Sequence, residues 1–337
     1  IVSNLEKDQP GRNSHGGPVC IEYANGDIAA FCSSASGHNT DGWSEYALSK
    51  DGGKSWTMYH KLPYSFEAYR RDKSQIWVEA GLVTPNGNAV LFINHFKGGK
   101  RAVTGFMVSA DHGKSWNTFQ KMPDDYVGYP CATAVGEGTS YVLFDGTADR
   151  RHRLFASTDT GKTWQDRGRL RLAPAVWYGA LCLMEDGRLL AGGYLTNKED
   201  VFTYSISKDG GRTWSDSKTA PLAKKIHDPE LAYLDGRYYL HGRSGNSGKR
   251  SRAFVLYQSR DGETWDEGVY INTNYQHPDG YSDNCIIHKY DKDKPEELMV
   301  LYSICYKQRL TNEYVFFVSP RGEDNHQPNK SDAGDGE

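Results

Sequence analysis

The feature that most restricts the fold is a short turn repeated along the chain. The pattern Ser-x-Asp-x-Gly-x-[Ser/Thr]-Trp occurs at Ser49–Trp56, Ser109–Trp116, Ser157–Trp164 and Ser207–Trp214, and a copy one residue shorter spans Ser259–Trp265. Their aspartates, Asp51, Asp111, Asp159, Asp209 and Asp261, lie 60, 48, 50 and 52 residues apart. Self-similarity at this period marks an array of supersecondary units, each needing its neighbours to bury a core. Within a copy, Asp can accept backbone N–H bonds, Gly permits a positive φ, and the Ser or Thr hydroxyls add local bonds. Trp then covers the base of the hairpin, and its indole N–H needs an acceptor. The repeated aspartates are therefore assigned to folding and not to catalysis.

Between the copies an apolar run, a tight turn and a second apolar run return, as at Asn25-Gly26 and Asp186-Gly187. Such dipeptides are strong hairpin signals. Counting hairpins places first strands near residues 17–23, 76–83, 129–135, 178–184, 229–234 and 282–288. The last lacks a following turn copy, but Leu298–Tyr302 and Tyr314–Val318 supply further strands. The expected architecture is all-β, a six-bladed β-propeller of four-stranded antiparallel blades. It forms one domain over residues 1–321, with the segment before Gly16 helping to close the ring. The polar stretch 322–337 lacks a hydrophobic pattern and is expected to be a mobile tail.

A net charge of −3 without a basic block gives nucleic-acid binding no electrostatic footprint. No apolar run is long enough to span a bilayer. The chain opens at Ile1 instead of Met, as expected after removal of a leader, and a secreted or periplasmic location is expected. The six cysteines (Cys20, Cys32, Cys131, Cys182, Cys285, Cys305) show no C-x-x-C spacing. Buried free thiols are expected, with Cys20–Cys32 and Cys285–Cys305 disulfides as the alternative in an oxidising compartment. No cofactor motif is present, and a zinc site at His15, His38 and an acidic partner would lack any ligand-spacing signature, so neither metal nor cofactor is expected.

In a propeller the inner strands begin at one face and surround a funnel. Residues at or just before those strands are His15, Trp77, Glu79, Tyr126, Tyr129, Trp177, Tyr178, His227, Asp228, Tyr281 and Asp283. Such a ring of aromatic, acidic and imidazole groups suits a sugar pocket, against the plainer reading of aromatics plugging the axis.

The repeated turn resembles the Asp-box, or bacterial neuraminidase repeat, and the last two blades resemble the sialidase (neuraminidase) superfamily. The segment His227–Arg243 is similar to that family's acidic residue, hairpin and second carboxylate-binding arginine. The stretch from Arg252 into the fifth box resembles the strand of the third arginine, and Asp279-Gly280-Tyr281-Ser282-Asp283-Asn284 resembles the segment of the tyrosine nucleophile. The resemblance implies that Arg243 and Arg252 grip a carboxylate, and that Tyr281 attacks the anomeric carbon with Asp228 as its base. Asp41, within Gly37–Asp41, falls in the region of the acid/base aspartate. A phenol with its ordinary pKa near ~10 needs such a base at neutral pH. Paired guanidiniums suit planar recognition of an acid.

Two departures stand out. Ser14-His15-Gly16-Gly17-Pro18 replaces the Arg-Ile-Pro-like motif of the first arginine, and Asp228 is shorter than the usual glutamate. His15 and His38 are then expected to shape the vacated subsite, beside Trp77, Glu79, Tyr129, Trp177, Tyr178 and His227. The function expected is an exo-acting, retaining glycoside hydrolase removing a terminal, acidic sugar from a glycan. One alternative is a polysaccharide lyase using His and Tyr for β-elimination at a uronic acid, with His15, His38, His227 and His241 as its histidines. A second is a glycan-binding propeller without catalysis.

Overall fold

Six antiparallel sheets stand around one axis in the computed structural model, which describes residues 14–35, 42–146, 151–173, 175–244, 253–272, 281–303 and 313–318. The inner strands are Ser14–Glu22, Gln75–Val83, Gly128–Gly136, Val176–Leu183, His227–Leu234 and Tyr281–Ile287, close to the positions given by the hairpin count. Each packs beside the next, and the sixth returns to the first. The chain is thus a six-bladed propeller. Blades 1 to 5 have four strands, and blade 6 has three among the described residues. The segment before Gly16 and the tail 322–337 fall outside the described residues apart from strand residues Ser14 and His15.

Second strands are buried on both faces, because every blade is sandwiched between two others. In blade 4, Leu190 packs towards blade 5, while Leu189 and Ala191 pack towards blade 3. This explains why such strands read as unbroken apolar runs instead of alternating ones. Outer strands are short, only His60–Lys61 in blade 1 and Gln120–Lys121 in blade 2, which limits exposed pairing edge.

Each Asp-box joins the third strand of a blade to its fourth, at the end away from the funnel. In the fourth box the Ser207 hydroxyl donates to Asp209 Oδ1 at 2.9 Å, and Gly211 N–H donates to Ser207 Oγ at 2.8 Å. Thr213 N–H and its hydroxyl donate to the two Asp209 oxygens at 2.8 and 2.7 Å. The Trp214 indole N–H donates to the Gly211 carbonyl at 3.1 Å, and Trp56 does the same to Gly53 at 2.8 Å. Gly211 has φ +86°, and a Cβ there would lie 2.1 Å from Leu154 Cδ2 of blade 3. The glycine thus serves close approach between blades as well as the turn.

Bonds from Ser55, Ser115 and Thr213 hold the carboxyls of Asp51, Asp111 and Asp209 down to about 2. A folded pKa below the unfolded ~3.9 contributes stability that is present above that value and lost as pH falls towards the folded pKa. Urea unfolding is therefore expected to show stability falling between about pH 4 and about pH 2, with a shallower fall in Asp209→Asn. An identical slope in that variant would contradict the folding role of the boxes.

The seam between blades 1 and 6 is made by side chains reaching across. Cys20 N–H donates to Asp283 Oδ2 at 2.8 Å, and Glu22 accepts His288 N–H at 2.7 Å and Lys289 N–H at 3.1 Å. Behind them Cys20, Ile28 and Ala30 pack with Ile287, Met299 and Leu301.

The described cysteines follow the first expectation, free thiols, and one feature departs from the sequence reading. Cys20 and Cys32 are unbridged, because the Asn25-Gly26 hairpin pairs Cys20 with Ala30 and leaves Cys32 out of register, opposite Glu45 of the third strand. Cys285 is also a free thiol, and Cys305 lies outside the described residues. A helix, Pro63–Asp72, interrupts the all-β pattern between blades 1 and 2. Pro63 starts it, a left-handed Lys73 (φ 61°) ends it, and Ser65, Ala68 and Tyr69 form its buried face. Phe66 and Tyr69 pack on Trp43, with ring centroids 4.9 and 5.0 Å away.

Candidate functional site

Five of the six inner strands break register where they enter the funnel. The shifts fall at Gly17-Pro18, Glu79, Cys131, Tyr178-Gly179 and Asp228-Pro229. A bulge inserts residues without strand partners and re-aims their side chains. All of these residues line a cavity of about 620 Å³, together with Trp77, Arg101, Tyr129, Asp145, Trp177, Glu230, Tyr281 and Asp283. At equivalent places in blades 4 and 5, Tyr178 and Asp228 have φ of 49° and 50°. Such backbone costs about 1–3 kcal/mol and persists only where its surroundings enforce it. At Tyr178 they do so from both sides: Asp145 Oδ2 accepts its N–H at 3.3 Å, and buried His152 donates from Nε2 to its carbonyl at 2.8 Å.

Two arginines and a run of rings follow one another around the wall. In blade 2 Arg101 donates from Nε and Nη2 to the two Glu79 oxygens at 3.1 and 3.0 Å, and its guanidinium lies 4.6 Å over the Tyr129 ring. Tyr129 meets Tyr178 edge-on at 5.6 Å, and Tyr178 lies 5.8 Å from the His227 ring. Arg243 Nη2 donates to His227 Nδ1 at 2.6 Å and to Asp228 Oδ2 at 2.8 Å. Since Nδ1 accepts there, His227 Nε2 carries the proton and donates to Tyr194 OH at 2.5 Å. The Arg243 guanidinium also lies 5.6 Å from the Tyr281 ring centroid. Burial next to Asp283 and Asp228 pushes Glu230 well above the usual carboxylate range, and burial raises Asp283 to about 7. The cavity floor is thus acidic and ready to hold protons.

Of the residues expected from sequence, Trp77, Glu79, Tyr129, Trp177, Tyr178, Asp228, Tyr281 and Asp283 come together on this cavity. His227 and Arg243 stand one layer behind, buried, and reach it through Asp228 and Tyr281. Tyr126 points elsewhere, packing on Phe144 and Phe155 between blades. His15 lies on the inner strand of blade 1 opposite Ser34. His38, Asp41 and Arg252 lie outside the described residues.

The sequence reading missed Arg101, Asp145 and Glu230. A signal for Arg101 existed: the turn between second and third strands must open on the funnel face, and in blade 2 that turn is Lys97-Gly98-Gly99-Lys100. Among the described residues no cluster of three or more His, Cys, Asp or Glu side chains could hold a metal ion, and no helix is long and apolar enough to cross a membrane.

Blade number, box geometry and a recessed, ring-lined funnel define a propeller of the sialidase-like fold. Family models described as BNR repeat-like domain match residues 6–181 and 139–286. The chain belongs to this BNR repeat-like family. No curated protein sequence matches it. Similar solved structures include a protein of unknown function from Dyadobacter fermentans, 18% identical with a TM-score of 0.69, covering 87% of this chain and 91% of that one. Another is the Hadza microbial sialidase Hz136, at 15% identity and a TM-score of 0.68, covering 89% of this chain and 65% of that one. A third is the intramolecular trans-sialidase from Ruminococcus gnavus, at 14% and 0.63, covering 91% and 95%. At these identities the likeness establishes the fold.

Proposed function

We propose that the protein is an exo-acting, retaining glycoside hydrolase that removes a terminal acidic sugar from a glycan outside the cytosol. The observation that carries this reading is the grouping of Tyr281, Arg243 and Asp228 at one wall of the cavity. Tyr281 Oη attacks the anomeric carbon, the glycosidic C–O bond breaks, and the Tyr281 proton passes to Asp228. Water then cleaves the tyrosyl–sugar bond with the configuration at that carbon retained. Protonation of the leaving oxygen is assigned to Asp41 by the sequence resemblance, and Arg252, His15 and His38 keep their expected contacts with the substrate. A phenol is a suitable nucleophile here, because a carboxylate would repel an anionic sugar. The sialidases among the structural neighbours support the substrate class.

β-Elimination is less well supported. His227 has both ring nitrogens engaged, by Arg243 and Tyr194. His241, pushed down to about 3 by burial, bonds Ser282 and Asn284. Neither presents an imidazole to the cavity.

A panel of acidic glycans with product analysis tests the reading. A free reducing sugar of retained anomeric configuration is expected, and a fluorinated sugar analogue should leave a covalent adduct on the Tyr281 peptide by mass spectrometry. An unsaturated product absorbing near ~235 nm would replace the hydrolase by a lyase. No product from any glycan would leave a binding protein.

A further inference from the structure

The two arginines of the cavity wall are not equivalent. The Arg243 side chain is 4% exposed and sealed behind Asp228 and Tyr281, whereas that of Arg101 is 24% exposed and faces the cavity. We propose that Arg101, assisted by Lys100, anchors the carboxylate of the bound sugar and so determines specificity. This inference deepens the hydrolase reading and rests on it for the identity of the ligand as an acidic sugar.

Four observations support the role. Glu79, its side chain 9% exposed, holds Arg101 through Nε and Nη2, which among the described residues leaves the Nη1 amino group for a ligand. The guanidinium plane is fixed between the Tyr129 and Phe96 rings, at 4.6 and 5.2 Å, so little side-chain freedom is lost on binding. The Gly98-Gly99 turn, with φ of 58° and 74°, brings Lys100 to the same cavity, where it forms no ion pair among the described residues. Lys100 supplies the net positive charge that the Arg101–Glu79 pair by itself lacks. Finally, Lys100 and Arg101 are the only Lys or Arg residues among the described lining residues, so a ligand anion is drawn to the blade 2 rim. The anchor is a binding group and takes no part in bond breaking.

Calorimetric titration with free N-acetylneuraminate and free D-glucuronate, each beside its methyl ester, reads the anchor without turnover. At least one free acid is expected to bind, with its ester at least about 10-fold weaker, since charge-assisted bonds are worth about one to two decades in Kd. Arg101→Gln should weaken the acid by about 10- to 100-fold and leave the ester unchanged, and Arg101→Lys should recover part of the loss. Lys100→Gln, at an exposed position, should cost a few-fold and flatten the dependence on salt.

Equal binding of acid and ester, undiminished binding in Arg101→Gln, or no binding of either acid overturns the anchor. Should Arg101→Gln fail to fold, the ester comparison and Lys100→Gln decide. Hydrolysis of an acidic glycan with KM unchanged in both variants would sink the anchor and spare the hydrolase. Loss of acid binding in Arg101→Gln, with no glycan ever cleaved, would do the reverse.

Discussion

Tyr281→Phe is expected to lower turnover by at least about 10³-fold, or about 4 kcal/mol of transition-state stabilisation, while leaving the fold and substrate affinity in place. The substitution removes one oxygen and keeps the ring, so the packing of Tyr281 under the Arg243 guanidinium survives. A residue that only shaped the pocket would shift KM and spare kcat; a nucleophile shifts kcat and spares KM. Steady-state kinetics on whichever glycan is cleaved, with circular dichroism of the variant, separates the two. Activity within about tenfold of wild type would remove Tyr281 from the reaction and return the nucleophile to the carboxylates of the cavity.

Arg243→Met is expected to destabilise the protein by about 3–5 kcal/mol, the largest loss from any single change at the site. Arg243 is 4% exposed and gives one amino group to both His227 and Asp228, 8% exposed. Its removal takes the guanidinium away from a buried carboxylate, at a residue whose φ of 50° already stores strain. Urea unfolding of the single variants, and of Asp228→Asn/Arg243→Met, measures the coupling. The double variant should be more stable than Arg243→Met alone, because no ionised group is then left buried. Additive losses would mean that the two side chains do not depend on each other.

These expectations rest unequally on sequence. The boxes at Asp51, Asp111, Asp159, Asp209 and Asp261 were legible because a turn is a local object: its hydrogen bonds run between residues at most four apart. Inner strands were legible for the same reason, through their Gly-containing hairpins. The bulges were not, since an inserted residue at Glu79 or Asp228 is defined only against the partner strand. Arg101 carries no motif; the funnel-facing turn beside it was legible, but its pairing with Glu79 and Tyr129 was not. The helix left a faint trace in Ser65, Ala68 and Tyr69, spaced for one helical face, but it is a single helix among strands.

The seam between the first and last blades has a consequence for how the chain is made. Cys20 meets Asp283 across 263 residues of sequence, and Glu22 meets Lys289 across 267. A ribosome adding about 5–20 residues per second exposes one flank of the first blade for on the order of 10–50 s before its partner exists. During that interval Ile28 and Ala30, both fully buried in the finished ring, face solvent or a chaperone. Premature termination anywhere before blade 6 therefore yields an open arc with two sticky ends, which will join other arcs more readily than itself.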